Sequence, residues 1–222
     1  MNDDQLSLFD LTPPRGRDDG TDVPETDWPA DIRALGERLP AGVRFGTSSW
    51  SFPGWAGLVY RRPRTQTELA RDGLREYARY PLFGTVGIDR SYYAPLAGED
   101  LKRYAAQLPQ AFPCCAKVPA MYASPVLSGS GRGSDALPNP DFLSAEGFLA
   151  DVWQPFHLHF ARHLGPFILE IPPVPPEARL DPLAFADRLG RFLDALPREC
   201  PMSVELRDRR LITPAYEAVL HQ

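Results

Sequence analysis

Gly46-Thr-Ser-Ser-Trp-Ser-Phe-Pro-Gly-Trp-Ala-Gly57 is the stretch on which the fold turns. The short run that leads into it, Val43-Arg-Phe45, reads as a β-strand. That strand ends in small hydroxylated residues and passes into a Gly/Pro loop holding two Trp and one Phe. Aromatics of that size are costly to expose unless something packs on them. A strand running into a decorated loop is how α/β proteins build sites at the carboxyl ends of their strands.

Downstream of the loop, strand and helix signals alternate. A first strand over Val43–Thr47 is followed by a helix near Thr67–Tyr80, with Ala70, Leu74, Tyr77 and Ala78 at helical spacing. A strand over Gly84–Asp89 precedes a helix near Gly98–Leu108, and Phe112–Val118 reads as the third strand. The Gly/Ser/Pro-rich stretch Ser124–Pro140 is an insertion. A helix over Ser144–Leu164, broken at Pro155, leads to a strand over Phe167–Ile171 that Pro172-Pro173 stops. Asp181-Pro182 is an N-cap and first-turn pair for the next helix, which buries Phe185, Leu189, Phe192, Leu193 and Leu196. Met202–Leu206 is the fifth strand, and Thr213-Pro214 opens a last helix. Strands alternating with helices imply a parallel sheet with right-handed crossovers. A closed (β/α) barrel needs eight units and about 250 residues. Five units in a chain of 222 residues imply either an open sheet or an incomplete barrel.

Residues 1–41 form a tail. Asp, Pro, Gly and Arg dominate Thr12–Asp27, which cannot bury enough apolar surface to order itself, and Asp31–Leu39 is a short helix leading into the domain at 42–222. The net charge of −5 argues against whole-surface attraction to nucleic acid or anionic membrane. No apolar run approaches the about 20 residues of a membrane span, and the acidic N-terminus is no signal peptide. Cys114, Cys115 and Cys200 make no disulfide framework and are expected as reduced thiols of a cytoplasmic protein. No cofactor-binding motif stands out: Gly129-Ser-Gly-Arg-Gly133 follows no strand and opens no helix.

With the strands placed, five blocks stand out in order: Gly46-Thr-Ser-Ser-Trp-Ser-Phe52 with Trp55 and Gly57, Val86-Gly-Ile-Asp-Arg-Ser-Tyr-Tyr93, Phe112-Pro-Cys-Cys-Ala-Lys-Val-Pro119, Leu164-Gly-Pro-Phe-Ile-Leu-Glu-Ile-Pro-Pro173 and Ser203-Val-Glu-Leu-Arg207. Together they resemble the domain of unknown function 72 family, the YecE-like proteins. The resemblance implies a TIM-like barrel of the xylose-isomerase and endonuclease IV kind, here incomplete and truncated at its C-terminus. It implies no known reaction. Three departures stand out. Gly87 takes the place of a usual Glu, Ala120 and Ser124 stand where Arg and His often follow the third-strand Lys, and Asp208 replaces a common His. Three missing units predict unpaired edge strands, and with them aggregation or the borrowing of a partner's strands.

Lys117, Glu205, Arg207 and Asp89 lie near strand carboxyl ends, where barrel sites sit. Glu205 and Arg207, two apart, share a face. Together these residues can bind an anion such as phosphate while a carboxylate takes a proton, or they can form a structural ion-pair network. Glu170 stands in an apolar strand where the family often has Gln, and is either a pore-lining polar group or a catalyst. Thr47, Ser48, Trp50, Trp55, Tyr92 and Tyr93 are ligand-binding candidates; Trp50, Phe52, Trp55, Tyr92 and Tyr93 form either a stacking platform for bases or sugars or an architectural cap. His159 and His163 are four apart on one helical face, but lack acidic or Cys partners at metal spacing, so no metal site is expected. Gln5-Leu6-Ser7-Leu8-Phe9 resembles the pentapeptide by which bacterial replication and repair proteins bind the β sliding clamp, with Gln5 hydrogen bonding and Leu6, Leu8 and Phe9 supplying apolar contacts. Three functions follow: a DNA-associated, repair or nuclease-like protein recruited by its tail; an enzyme on a phosphorylated or sugar-like substrate; or a non-catalytic binding module or degenerate remnant.

Overall fold

The structure, a computed structural model, describes residues 28–127, 137–174 and 180–221. Its centre is a four-stranded, all-parallel sheet in the order β1-β2-β3-β4, with β1 at Val86–Ile88, β2 at Cys114–Lys117, β3 at Leu164–Ile171 and β4 at Met202–Leu206. Consecutive strands are neighbours and a helical segment lies between each pair, as in a barrel wall. The chain is thus an α/β protein with the architecture of an incomplete TIM-like barrel.

The expected strand over Val43–Thr47 is not a full strand. Phe45 makes a single parallel bridge to Phe83, and two bonds tie the segment to the edge: Gly84 donates to Phe45 O at 2.9 Å and Gly87 to Thr47 O at 2.8 Å. At this edge Gly46 runs hard against Thr85. A Cβ at residue 46 would sit 2.1 Å from the Thr85 carbonyl oxygen, so only glycine allows the approach. The motif that suggests a strand is better described as an extended edge and its loop.

The helices follow local signals. Thr65 caps α2 (Gln66–Asp72) with a reciprocal pair: Glu68 N donates to Thr65 Oγ1 at 3.3 Å and Thr65 N donates to Glu68 Oε2 at 2.8 Å. The helix expected over Thr67–Tyr80 breaks at Gly73 into α2 and α3 (Leu74–Tyr77). The short helix expected over Asp31–Leu39 is present with slightly earlier bounds. Helix α1 (Ala30–Glu37) forms, and Trp28 packs edge-on to Tyr80. After α4 (Gly98–Ala105) and α5 (Ala120–Ala123), the helix expected over Ser144–Leu164 becomes α6 (Ala145–Phe148), one π-turn at Leu149–Trp153, and α7 (Gln154–Phe160). Pro155 lies in the first turn of α7; it lacks an N–H, and the wider turn before it absorbs the break. Asp181 caps α8 (Pro182–Asp194) and Thr213 caps α9 (Pro214–Leu220) through side-chain bonds three residues on.

One face of the sheet carries the core. Val86, Ile88, Cys114, Ala116, Phe167, Leu169 and Ile171 are buried there. Phe167 meets Phe148 of α6 and Phe156 of α7 edge-to-face at 5.4 and 5.1 Å. Alternation puts Gly87, Cys115, Lys117, Ile168, Glu170, Ser203 and Glu205 on the opposite face, the one that points toward the axis in a closed barrel.

Candidate functional site

The four strands bring five charged side chains to the same end of that inner face, two of them from β4. Asp89 follows β1, Lys117 ends β2, Glu170 is the penultimate residue of β3, and Glu205 and Arg207 come from the end of β4. Lys117 Nζ lies 2.8 Å from Asp89 Oδ1 and 3.0 Å from Glu170 Oε2. Arg207 Nε lies 3.0 Å from both Glu170 Oε1 and Glu205 Oε1. The result is an unbroken row of alternating sign across four strands. The parallel register sets Glu170 directly beside Glu205. Two adjacent carboxylates repel, and the shared Arg207 Nε is what makes the pairing tolerable.

Glu170 is the pivot, with its side chain only 8% exposed. Among the described residues no donor is aligned on its buried Oε2 for a hydrogen bond, although the Lys117 ammonium is within ion-pair distance. Burial by itself would lower the Lys117 pKa, but its contacts with Asp89 and Glu170 outweigh that and hold it above the ordinary lysine value. A raised value favours the charged ammonium at Lys117. Arg207 is likewise raised, first by its hydrogen bond to Glu205 and then by the charge of Glu170. The Tyr92 ring stands 5.6 Å from Lys117 Nζ; burial and then the Glu170 charge raise its phenol, which remains a donor. Ser91 Oγ, 2.7 Å from Lys117 O and 2.6 Å from Ile88 O, ties the end of β1 to the end of β2.

The motif loop does not join this row. Trp50 is buried, donates Nε1–H to Leu69 O at 3.0 Å and packs edge-on to Tyr104, so it offers no stacking face. Trp55 packs among Tyr60, Tyr77 and Phe83. Thr47 Oγ1 bonds Ser49 O at 2.7 Å and lies 2.9 Å from the Tyr77 hydroxyl, itself drawn into the helix layer. Trp50 is thus buried and Trp55 half-buried against the helix layer, while Phe52 beside Trp55 stays 54% exposed. Ser48 contributes its backbone: its carbonyl accepts from Asp89 N at 3.3 Å. A Cβ at Gly87 would come 3.0 Å from Ser48 Cα, which leaves no easy room for a glutamate at this position. Of the aromatic candidates, Tyr92 and Tyr93 remain at the site, with Tyr93 79% exposed.

His163 is buried with Nδ1 3.1 Å from Phe112 O, and His157 packs on Trp153. No group of metal-binding side chains occurs among the described residues. No described helix is long and apolar enough to cross a membrane. Gln5–Phe9 and Gly129–Gly133 lie outside the described residues. Glu170 and Ser91 are the site residues least evident from sequence; the one signal for Glu170 is an acid inside an apolar strand.

A family model described as a protein of unknown function, DUF72, matches residues 44–222. No curated protein matches the sequence. Among solved structures, a DUF72 family protein from Thermotoga maritima is similar at 19% identity and a TM-score of 0.51, over 80% of this chain and 60% of that one. Another, from Enterococcus faecalis, is similar at 18% identity and a TM-score of 0.48, over 81% of this chain and 56% of that one. This chain therefore spans about 60% of the length of the Thermotoga protein. The likeness to that protein shows a shared fold. With the family model covering the whole sheet and its strand-end residues, the chain belongs to the DUF72 family.

Proposed function

We propose that the strand-end row is a small-molecule site, and that it serves an enzyme acting on a phosphorylated or sugar-like substrate. The observation that supports this is the alternation Asp89, Lys117, Glu170, Arg207, Glu205 across four neighbouring strands. Carboxylates accept and cations donate, so a ligand hydroxyl seated between neighbours can do both at once. Tyr92 and Tyr93 supply apolar flanks for a ring. In this arrangement Lys117 and Arg207 hold ligand oxygens, and Glu170 or Glu205 takes the proton. A purely structural network predicts the same ion pairs but no ligand. The two are separated by melting wild type and Lys117→Ala against a panel of sugars, sugar phosphates and hydroxy acids. Wild type is expected to gain several degrees with at least one class, and Lys117→Ala to lose that gain. Ligand-induced shifts that survive unchanged in Lys117→Ala overturn the assignment.

Gln5-Leu-Ser-Leu-Phe9 favours a second role, docking on a bacterial β sliding clamp and with it a DNA-associated, repair or nuclease-like setting. At a net charge of −5, recruitment through a peptide is better supported than bulk attraction to nucleic acid. The full chain is expected to bind immobilised clamp measurably, and Leu8→Ala/Phe9→Ala to abolish that binding. A wild-type chain that does not bind clamp sinks this role. If neither ligand nor clamp binds, a non-catalytic or degenerate member is what remains.

A further inference from the structure

We infer that the outer edge of the Arg207 guanidinium is an anion subsite of this small-molecule site, so that its ligand carries a phosphate monoester or carboxylate at one end and hydroxyls at the other. This rests on the small-molecule assignment and commits it to one ligand class and one orientation. Arg207 is tied down through Nε alone, at 3.0 Å to Glu170 and to Glu205. No hydrogen bond among the described residues engages either Nη. A guanidinium fixed by its inner edge presents those two nitrogens as a ready fork, the geometry that suits two oxygens of one anion. Its side chain is 50% exposed, against 25% for Lys117.

The two cations of the row are therefore not equivalent. An anion approaching Lys117 meets Asp89 and Glu170 on either side, both within ion-pair distance of its ammonium. At Arg207 both neighbouring carboxylates are held through Nε. Exposed Arg209 adds positive charge two residues on, while Arg210 is taken by Asp208, with its Nη2 2.6 Å from Oδ2. Lys117, flanked by Asp89 and Glu170, suits neutral hydroxyls, which donate to a carboxylate while accepting from the ammonium. From β4 to β2 is two strand spacings, about 10 Å. A monosaccharide ring bearing a terminal phosphate or acid group has that reach.

The test measures affinities by calorimetry for matched pairs, sugar monophosphates with their parent sugars and uronic acids with their parent aldoses, on wild type, Arg207→Gln, Arg207→Lys and Arg191→Gln. Wild type is expected to prefer the anionic member of at least one pair by tenfold or more. Arg207→Gln removes the preference, Arg207→Lys recovers only part of it because a point charge replaces the fork, and Arg191→Gln, which removes an exposed arginine on α8 outside the row, keeps it. A preference unchanged in Arg207→Gln overturns the subsite, as does Lys117-dependent binding of parent sugars with no preference for anions; in the latter case the small-molecule site itself stands. Failure of every probe to bind removes both. An oligonucleotide that binds through Arg207 while no sugar phosphate does overturns the small-ligand class in favour of a nucleic-acid backbone.

Discussion

Phe167→Ala is expected to cost about 3–5 kcal/mol of folding stability, the range for deleting a buried aromatic from a core. Phe167 is fully buried at the centre of β3, one of the two interior strands of the sheet. Its ring contacts Phe148, Trp153 and Phe156, so the cavity is walled by large rings that cannot slide in to fill it. In a chain of this size the loss lowers Tm by about 6–20 °C. Leu183→Ala is the control: it is a comparable deletion on α8 at a residue 68% exposed, and is expected to change stability by less than about 0.5 kcal/mol. Calorimetric or fluorescence melting of both variants checks this. Equal effects would show that the helix layer does not pack on β3 as described.

Glu170→Ala is the second large effect, and it acts on fold and site together. Removing the carboxylate leaves Lys117 with Asp89 alone and Arg207 with Glu205 alone. Breaking a buried pair by removing one partner costs about 3–5 kcal/mol; here both partners are partly exposed, which places the loss near the lower end, about 3 kcal/mol. Glu170→Gln keeps the side chain's shape and a carbonyl acceptor for one cation, so it should retain most of the stability. Ligand-induced melting shifts should fall in both variants if Glu170 faces the ligand. If Glu170→Gln loses stability but binds ligand as wild type does, Glu170 is a strut and the proton falls to Glu205.

Several features were legible because they are local. The caps at Asp181 and Thr213 act through bonds three residues away, so their signals sit inside one turn of sequence. The strand Met202–Leu206 matches its pattern at both ends. Strand ends also place Asp89, Lys117, Glu205 and Arg207 at the working edge of the sheet. By contrast, the π-turn at Leu149–Trp153 answers to packing on the core and to Pro155 together, and hydrophobic period alone gives no hint of it. Trp50 shows the other limit. A Trp in a loop has the same letters whether it faces a ligand or Leu69, and only the position of α2 decides.

What the sequence by itself determined is the alternation of strand and helix, the family, and the chemical inventory along the strand ends. What only the tertiary structure decided is that Glu170 lies beside Glu205, that one Arg207 nitrogen serves both, and that Lys117 is enclosed while Arg207 keeps an open fork. The physical reason is range. Capping and periodicity are set within a few residues, whereas a row of charges depends on the mutual register of strands that lie tens of residues apart in the chain and meet only when the parallel sheet forms.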